Sequence, residues 1–250
     1  MYTETEGIIF KQIKTMNGRR MIVAFTRKYG KISAGTSIAE SGKNKSALAL
    51  RPFTYGRYEL FRNRNSCNII GAESIKSYYA IGEDIDKFLY ASYTMEFAGK
   101  ILEEDQPLPE LFDLILEFMS FMEGRDKKFS TPVIAFQIKA LHILGQGPRI
   151  DDCVFCGTKD NISYFSVKDG GAVCRDCSSN INRDTNVSLI YDLDEGIINI
   201  LRYFLDEPLG SLEKVALNSK MLGSIKQLLK GYMAYHLDIS DLKSEGFLSE

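Results

Sequence analysis

The chain holds 250 residues, 44% hydrophobic and 26% charged, which is enough to bury a core in one or two domains plus a small module and excludes a disordered chain. No window reaches eighteen uninterrupted apolar residues, and "MYTETEGIIFKQ" lacks a basic segment leading into an apolar stretch, so a soluble, cytoplasmic protein with no membrane span is expected. The net charge of −2 conceals an asymmetry: residues 1–80 carry fourteen Lys and Arg against five acids, whereas the remainder carries seventeen bases against twenty-eight acids. A basic segment of that kind is suited to a polyanion.

The first 80 residues read as strands. "EGIIFKQI", "RRMIVAFT", "GKISAGT", "RPFTYGRYELF" and "CNIIGAES" are rich in β-branched and aromatic residues, and Asn17-Gly18, Tyr29-Gly30, Ser41-Gly42 and "RNRNS" separate them. Five short strands suit a small barrel, and among barrels the oligonucleotide/oligosaccharide-binding (OB) type combines a basic groove with aromatic stacking platforms. Aromatics do fall among bases: Tyr29 beside Lys28, Tyr55 and Tyr58 flanking Arg57, Phe61 beside Arg62. Most of Phe10, Phe25, Phe53 and Phe61 are expected inside. Candidate contacts to the phosphates of a nucleic acid are Arg19, Arg20, Arg27, Lys28, Lys43, Lys45, Arg57 and Arg62. The stretch "GTSIAESGKN" imitates a phosphate-binding loop, but six residues separate Gly35 from Gly42 instead of four, and Asn44 follows Lys43 where Ser or Thr is needed. It reads as a loop that offers Lys43 and Lys45 to phosphates.

From residue 83 the apolar period lengthens to that of a helix. "EDIDKFLYASYTMEFAGKILEE" places Ile85, Phe88, Leu89, Met95 and Leu102 on one stripe; Pro109 opens a second helix; Thr131-Pro132 starts a third that stops at Gly145. That third helix is apolar nearly all round and is expected at the centre, with Gln137, Lys139 and His142 as its polar residues and His142 as a hydrogen-bonded core residue. "LDEGIINILRYFL" and "SKMLGSIKQLLKGYMAYHL" supply two more amphipathic helices. The expected division is residues 1–80 as a barrel and 81–250 as a helical domain interrupted by a module at 151–180, an α+β protein.

That module is "CVFCGTKDNISYFSVKDGGAVCRDC". Two Cys-x-x-Cys pairs enclose seventeen residues that alternate like strands around Asp169-Gly170-Gly171. The spacing is that of a structural zinc site, with Cys153, Cys156, Cys174 and Cys177 as ligands. A redox dithiol would need an accessible cysteine at a helix start in a βαβ setting, which neither pair has; iron in the same cage is the other metal reading. The fifth cysteine, Cys67, reads as a small buried hydrophobe. Two histidines, with no His-Glu-x-x-His, P-loop or Gly-x-Gly-x-x-Gly, leave the usual catalytic constellations missing, so a binding protein is expected and not an enzyme.

The order of barrel, helical domain, inserted four-cysteine module and closing helices resembles the RecO family of DNA repair and recombination mediators. The resemblance is carried by "FTRKYGKISA", "YASYTMEFAGKILEEDQPLPELFDLI", "FQIKALHILGQGPRIDDCVFCG" and "YMAYHLDISDLKSEGFL". It implies a non-enzymatic, nucleoid-associated protein that binds single- and double-stranded DNA and anneals complementary strands. It also implies association with the partner RecR and help in loading the recombinase RecA onto DNA coated by single-strand-binding protein. Similar proteins often carry a strongly basic loop after "GKISA", where this chain has "GTSIAESGKNKS". Grasping the acidic, apolar-ended tail of single-strand-binding protein would need an apolar groove with a base at its rim, and Arg125, Lys127, Lys128 and Lys139 are the candidates. A zinc-ribbon RNA-binding or transcription-associated factor, and a thiol oxidoreductase, are the alternative classes.

Overall fold

The computed structural model describes residues 1–16, 19–39, 45–64, 66–179, 189–215 and 217–248. Asn17-Gly18, Ser41-Gly42 and Lys43 lie outside them. The chain divides into two compact units, residues 1–124 with the terminal residues from 246, and residues 125–245.

In the first unit all five expected strands form: β1 (Tyr2–Lys14), β2 (Arg20–Thr26), β3 (Gly30–Thr36), β4 (Thr54–Arg62) and β5 (Cys67–Ser77). They pair in the ring β1-β2-β3-β5-β4, antiparallel throughout except where β3 meets β5. That parallel junction is two residue pairs long, Gly35↔Asn68 and Thr36↔Ile69. Alternation along the strands sends Ile9, Ile22, Ala24, Ile32, Ala34, Leu60 and Ile69 inward. Tyr58 joins them at 1% exposure, its hydroxyl donating to the carbonyls of Ala49 at 2.9 Å and Thr54 at 3.2 Å. It belongs to the core, which removes it from the expected stacking aromatics. The short helix α1 (Lys45–Ala49) brings Ala47, Ala49 and Leu50 against the same core. Phe10, Phe25 and Phe53 are buried as expected, and Phe61 is half-buried.

Helices α2 (Ile85–Ile101) and α3 (Pro109–Glu123) belong to this unit, although the sequence groups them with the later helices. Asp84 caps α2, and Pro109 opens α3 as expected. The anticipated α2 stripe is buried at Met95 and Leu102 and half-buried at Leu89, but Ile85 and Phe88 are exposed, and the covered face also takes in Tyr90, Ala91, Tyr93, Thr94, Phe97 and Ala98. Small and hydroxyl side chains let the helix approach closely; a Cβ on Gly99 would already stand 3.6 Å from Phe10. Lys31 donates to the carbonyls of Gly99 at 3.0 Å and Leu102 at 2.5 Å, so a β3 cation occupies the negative end of α2. Gly30 sits at φ +68°, and a Cβ there would meet the Gln106 carbonyl oxygen at 2.0 Å, so the β2–β3 turn admits only glycine against the α2–α3 linker.

In the second unit α4 (Ser130–Ile143) is buried from Ser130 to Leu141 except at Lys139, which fits its all-round apolar sequence. It starts at Ser130 after Phe129, one residue before the expected Thr131-Pro132 start, and Gly145 at φ +68° follows its end. His142 is exposed, so it is not the core residue expected, whereas Gln137 is buried with its amide 3.8 Å from Met233 Sδ. Hairpin β6 (Ile162–Ser166) and β7 (Gly171–Cys174), the short α5 (Arg175–Ser178) and an unanticipated third strand β8 (Ile190–Asp192) form the cysteine module. Helices α6 (Glu195–Asp206) and α7 (Ser219–Leu237), capped by Asp194 and Asn218, follow.

Candidate metal centre and nucleic-acid interface

Each cysteine pair is a knuckle built from local backbone geometry. Cys153 donates its amide to the Thr158 carbonyl at 2.8 Å, and Gly157, at φ +75°, donates to the Cys153 carbonyl at 2.9 Å. Cys174 ends β7 and caps α5, its sulfur accepting from the Cys177 amide at 3.4 Å. The hairpin register, Ile162↔Cys174 through Ser166↔Gly171, folds one knuckle onto the other. The four Sγ atoms then lie within 4.8 Å of one another, with Cys156 and Cys174 at 3.7 Å. A four-thiolate tetrahedron with bonds of about 2.3 Å has edges of about 3.8 Å, so the donor set fits such a metal with no open position.

Burial is uneven: Cys153 and Cys174 are buried against Val173, Cys177 is half-buried, and Cys156 is exposed. Burial opposes ionisation of Cys153, but N–H groups of Cys174, Cys156 and Phe155 outweigh it and bring the thiol down to about 6. A thiolate is therefore favoured where a metal ligand is needed. Cys67 is half-buried beside the barrel core, and burial pushes its thiol up, consistent with an inert packing residue.

The barrel sorts the eight basic candidates into two groups. Arg27 is held by Asp113 at 2.5 Å and Glu6 at 3.6 Å and lies 4.6 Å from the centroid of the Phe112 ring. Its hydrogen bond to Asp113 raises its pKa against the opposing effect of burial. Arg57 pairs with Glu4 at 3.2 Å, and Arg62 pairs with Asp105 at 2.5 Å while covering the Tyr29 ring at 4.5 Å. Arg20 donates to the Ile38 carbonyl at 2.6 Å and to Gln12 Oε1 at 2.9 Å. Each of these four guanidinium groups has a partner within the protein, Arg57 while remaining exposed. Tyr55 is likewise engaged, donating to Glu6 at 2.7 Å.

The second group faces water. Arg19 and Lys45 are exposed, as is Lys28, whose ammonium donates to the Thr3 hydroxyl at 3.2 Å and stands 5.3 Å from the Tyr29 ring. Lys43 lies outside the described residues. Gln12 donates to the Leu50 carbonyl at 2.5 Å while holding Arg20, which fastens the β1–β2 hairpin to the segment after α1. Arg19 and Arg51 adjoin in sequence the two residues that Gln12 joins, Arg20 and Leu50, and Lys45 opens α1. Arg51, Lys11 and Arg64 are exposed bases absent from the sequence-based candidates; their charge is visible in the composition, their outward facing is not.

In the second unit the four candidate partner residues also separate. Arg125 is buried at 9% exposure, donates to the Lys127 carbonyl at 2.8 Å and is depressed in pKa by burial. It braces its own loop and is not a rim base. Lys127 and Lys128 are exposed, Lys128 at φ +58°. Lys139 is half-buried and donates to the Leu205 carbonyl at 2.8 Å, in the last turn of α6, where a cation meets the helix dipole.

Residues 1–78 match the family described as Recombination protein O N terminal, and residues 82–246 that described as Recombination protein O C terminal. The chain is 30% identical over 246 residues to the DNA repair protein RecO of Caldanaerobacter subterraneus, covering 98% of this chain and 97% of that one. It is 28% identical over 239 residues to the DNA repair protein RecO of Alkaliphilus metalliredigens, covering 95% of each. It is 28% identical over 251 residues to the DNA repair protein RecO of Bacillus subtilis, covering 100% of this chain and 95% of the relative. Barrel, helices and four-cysteine hairpin are thus matched along nearly the whole length, and the chain belongs to the RecO family.

Proposed function

We propose that this protein is a DNA repair and recombination mediator that works by binding and is not an enzyme. The observation that carries the reading is the exposure of Arg19, Lys45 and Arg51, the first and last of which adjoin the residues that Gln12 joins, Arg20 and Leu50. Phosphates lying across these bases would release counterions, which supplies affinity for single and double strands without selecting a sequence. A barrel of the OB type suits the task because its hairpin end is open to an extended strand. Neutralising two complementary strands on one surface lowers their mutual repulsion, which is how such a site would favour annealing.

The four cysteines would hold one zinc ion, a staple for the β6–β7 hairpin with no chemistry of its own. Membership of the family supports extending the proposal to association with RecR, capture of the tail of single-strand-binding protein and help in loading RecA. Exposed Lys127 and Lys128 are the bases best placed to meet an acidic tail. The setting would be the cytoplasm, at the nucleoid; no described helix is long and apolar enough to cross a membrane.

The test is titration of labelled single strands at several salt concentrations, with unlabelled RNA of the same sequence as competitor. Binding that weakens with salt and resists RNA supports the reading. Preference for RNA would favour a zinc-ribbon RNA-binding factor, and no binding at low salt would remove it.

A further inference from the structure

The first turns of α2 present an apolar face that nothing in the described chain covers. Ile85 is 69% and Phe88 40% exposed, Leu89 is half-buried beside them, and Tyr79, 62% exposed, opens the 3-10 turn just before. Scattered exposed apolar residues are ordinary; residues at i, i+3 and i+4 on one helix face form a contiguous surface. Beneath Phe88 lies Phe53, edge-on with ring centroids 5.8 Å apart. The Phe53 backbone is at φ +64°, a left-handed conformation that strains a bulky residue. Strain is therefore retained at the aromatic floor of this face.

Charge selects the occupant. Glu83 and Asp86 are exposed and Asp84 is half-buried at the cap, so three acids border the apolar residues. The one base in the same stretch, Lys87, turns inward: it is buried, and its ammonium donates to the Glu123 carbonyl at 3.1 Å. Nucleic acid is repelled from such a rim, and so is an acidic tail of the kind considered above. We propose that this face docks a partner protein through an amphipathic segment whose apolar side chains seat on Ile85 and Phe88 and whose flanking Lys or Arg meet Glu83, Asp84 and Asp86.

The test uses the full chain and a labelled synthetic amphipathic helix with leucines on one face and lysines at its flanks. Two controls accompany it, one with glutamates for the lysines and one with serines for the leucines. Fluorescence anisotropy is expected to show the leucine–lysine peptide bound at least about tenfold more tightly than either control, with that preference lost in the I85S/F88S double variant. Both side chains are exposed, so the melting temperature should hold; should it not, Asp86→Lys leaves the apolar pair intact and must still weaken the lysine peptide. Equal binding by the double variant, or by the serine control, overturns the proposal. So does concentration-dependent self-association of the wild type that the double variant abolishes, since a second copy would then be the occupant. DNA affinity measured alongside should not change, which keeps this result distinct from the DNA-binding reading.

Discussion

The sulfurs of Cys156 and Cys174 stand 3.7 Å apart although one belongs to an exposed knuckle and the other to a buried strand end. Val173 and Ile162 pack with Cys153 and Cys174 in one apolar cluster, whereas Cys156 is exposed. Four thiols at such spacing have little reason to stay together unless a cation binds them.

Purified protein should accordingly carry one zinc per chain, released on treatment with a strong chelator or an organomercurial. Cys156→Ser should lower zinc occupancy and loosen the β6–β7 hairpin, read as faster amide exchange from Ile162 to Cys174. The barrel lies in the other compact unit, so DNA affinity should survive in part. Zinc-free protein after gentle purification, with those amides still protected, would remove the metal from the account.

The two groups of bases predict opposite mutant behaviour. Reversing Arg19, Lys45 and Arg51 to glutamate should weaken single-strand binding and flatten the plot of log K against log salt by about 0.7 for each phosphate no longer neutralised, with melting little changed. Arg27→Ala should do the reverse, leaving the salt slope nearly intact and costing about 1–2 kcal/mol in stability, because it empties the place between Asp113, Glu6 and the Phe112 ring. Urea unfolding beside DNA titration checks both.

This division explains how far the sequence could be read. Strand positions were legible because alternation and turn residues are local signals, and all five came out in place. The cysteine cage was legible because its ligands lie in two tight repeats. Which bases face water was not, since Arg27 is spoken for by Asp113, 86 residues away, and Arg62 by Asp105. The buried face of α2 was hidden in part: Ala91, Thr94 and Ala98 carry little apolar weight yet are fully buried, while heavier Ile85 and Phe88 are exposed. Strand β8 is three residues long, too short for periodicity to show.

Alkaline pH should weaken the barrel through Tyr55. Burial, and then its hydrogen bond to Glu6, raise the phenol to about 12, against about 10 in an unfolded chain. The raised value means the folded state holds the proton more tightly. Its stabilising contribution is therefore complete below about pH 10 and is lost as pH rises through about 12. Tyr55→Phe should make stability fall less steeply across that window than in the wild type, measured by urea unfolding at about pH 9 and about pH 11.5. Parallel curves would mean that Tyr55 does not carry the alkaline loss.

Lys139 and the pair Lys127 and Lys128 offer the last separation of roles. Lys139 donates to the Leu205 carbonyl at 2.8 Å, near the end of α6. Lys139→Met would leave that carbonyl without its cation in a half-buried setting and should cost about 1–3 kcal/mol, seen as a lower melting temperature. A steady loss of stability of that kind, with peptide affinity preserved below the new melting point, would make Lys139 a brace of the helical packing. Lys127→Glu with Lys128→Glu alters only exposed side chains, so melting should hold while anisotropy of a labelled acidic, apolar-ended tail peptide reports weaker binding. The direction follows from charge: such a tail is acidic, so replacing two exposed bases by acids removes a local attraction and puts repulsion in its place. Peptide affinity that drops with Lys139→Met but not with the double reversal would invert the assignment and place the tail beside α4.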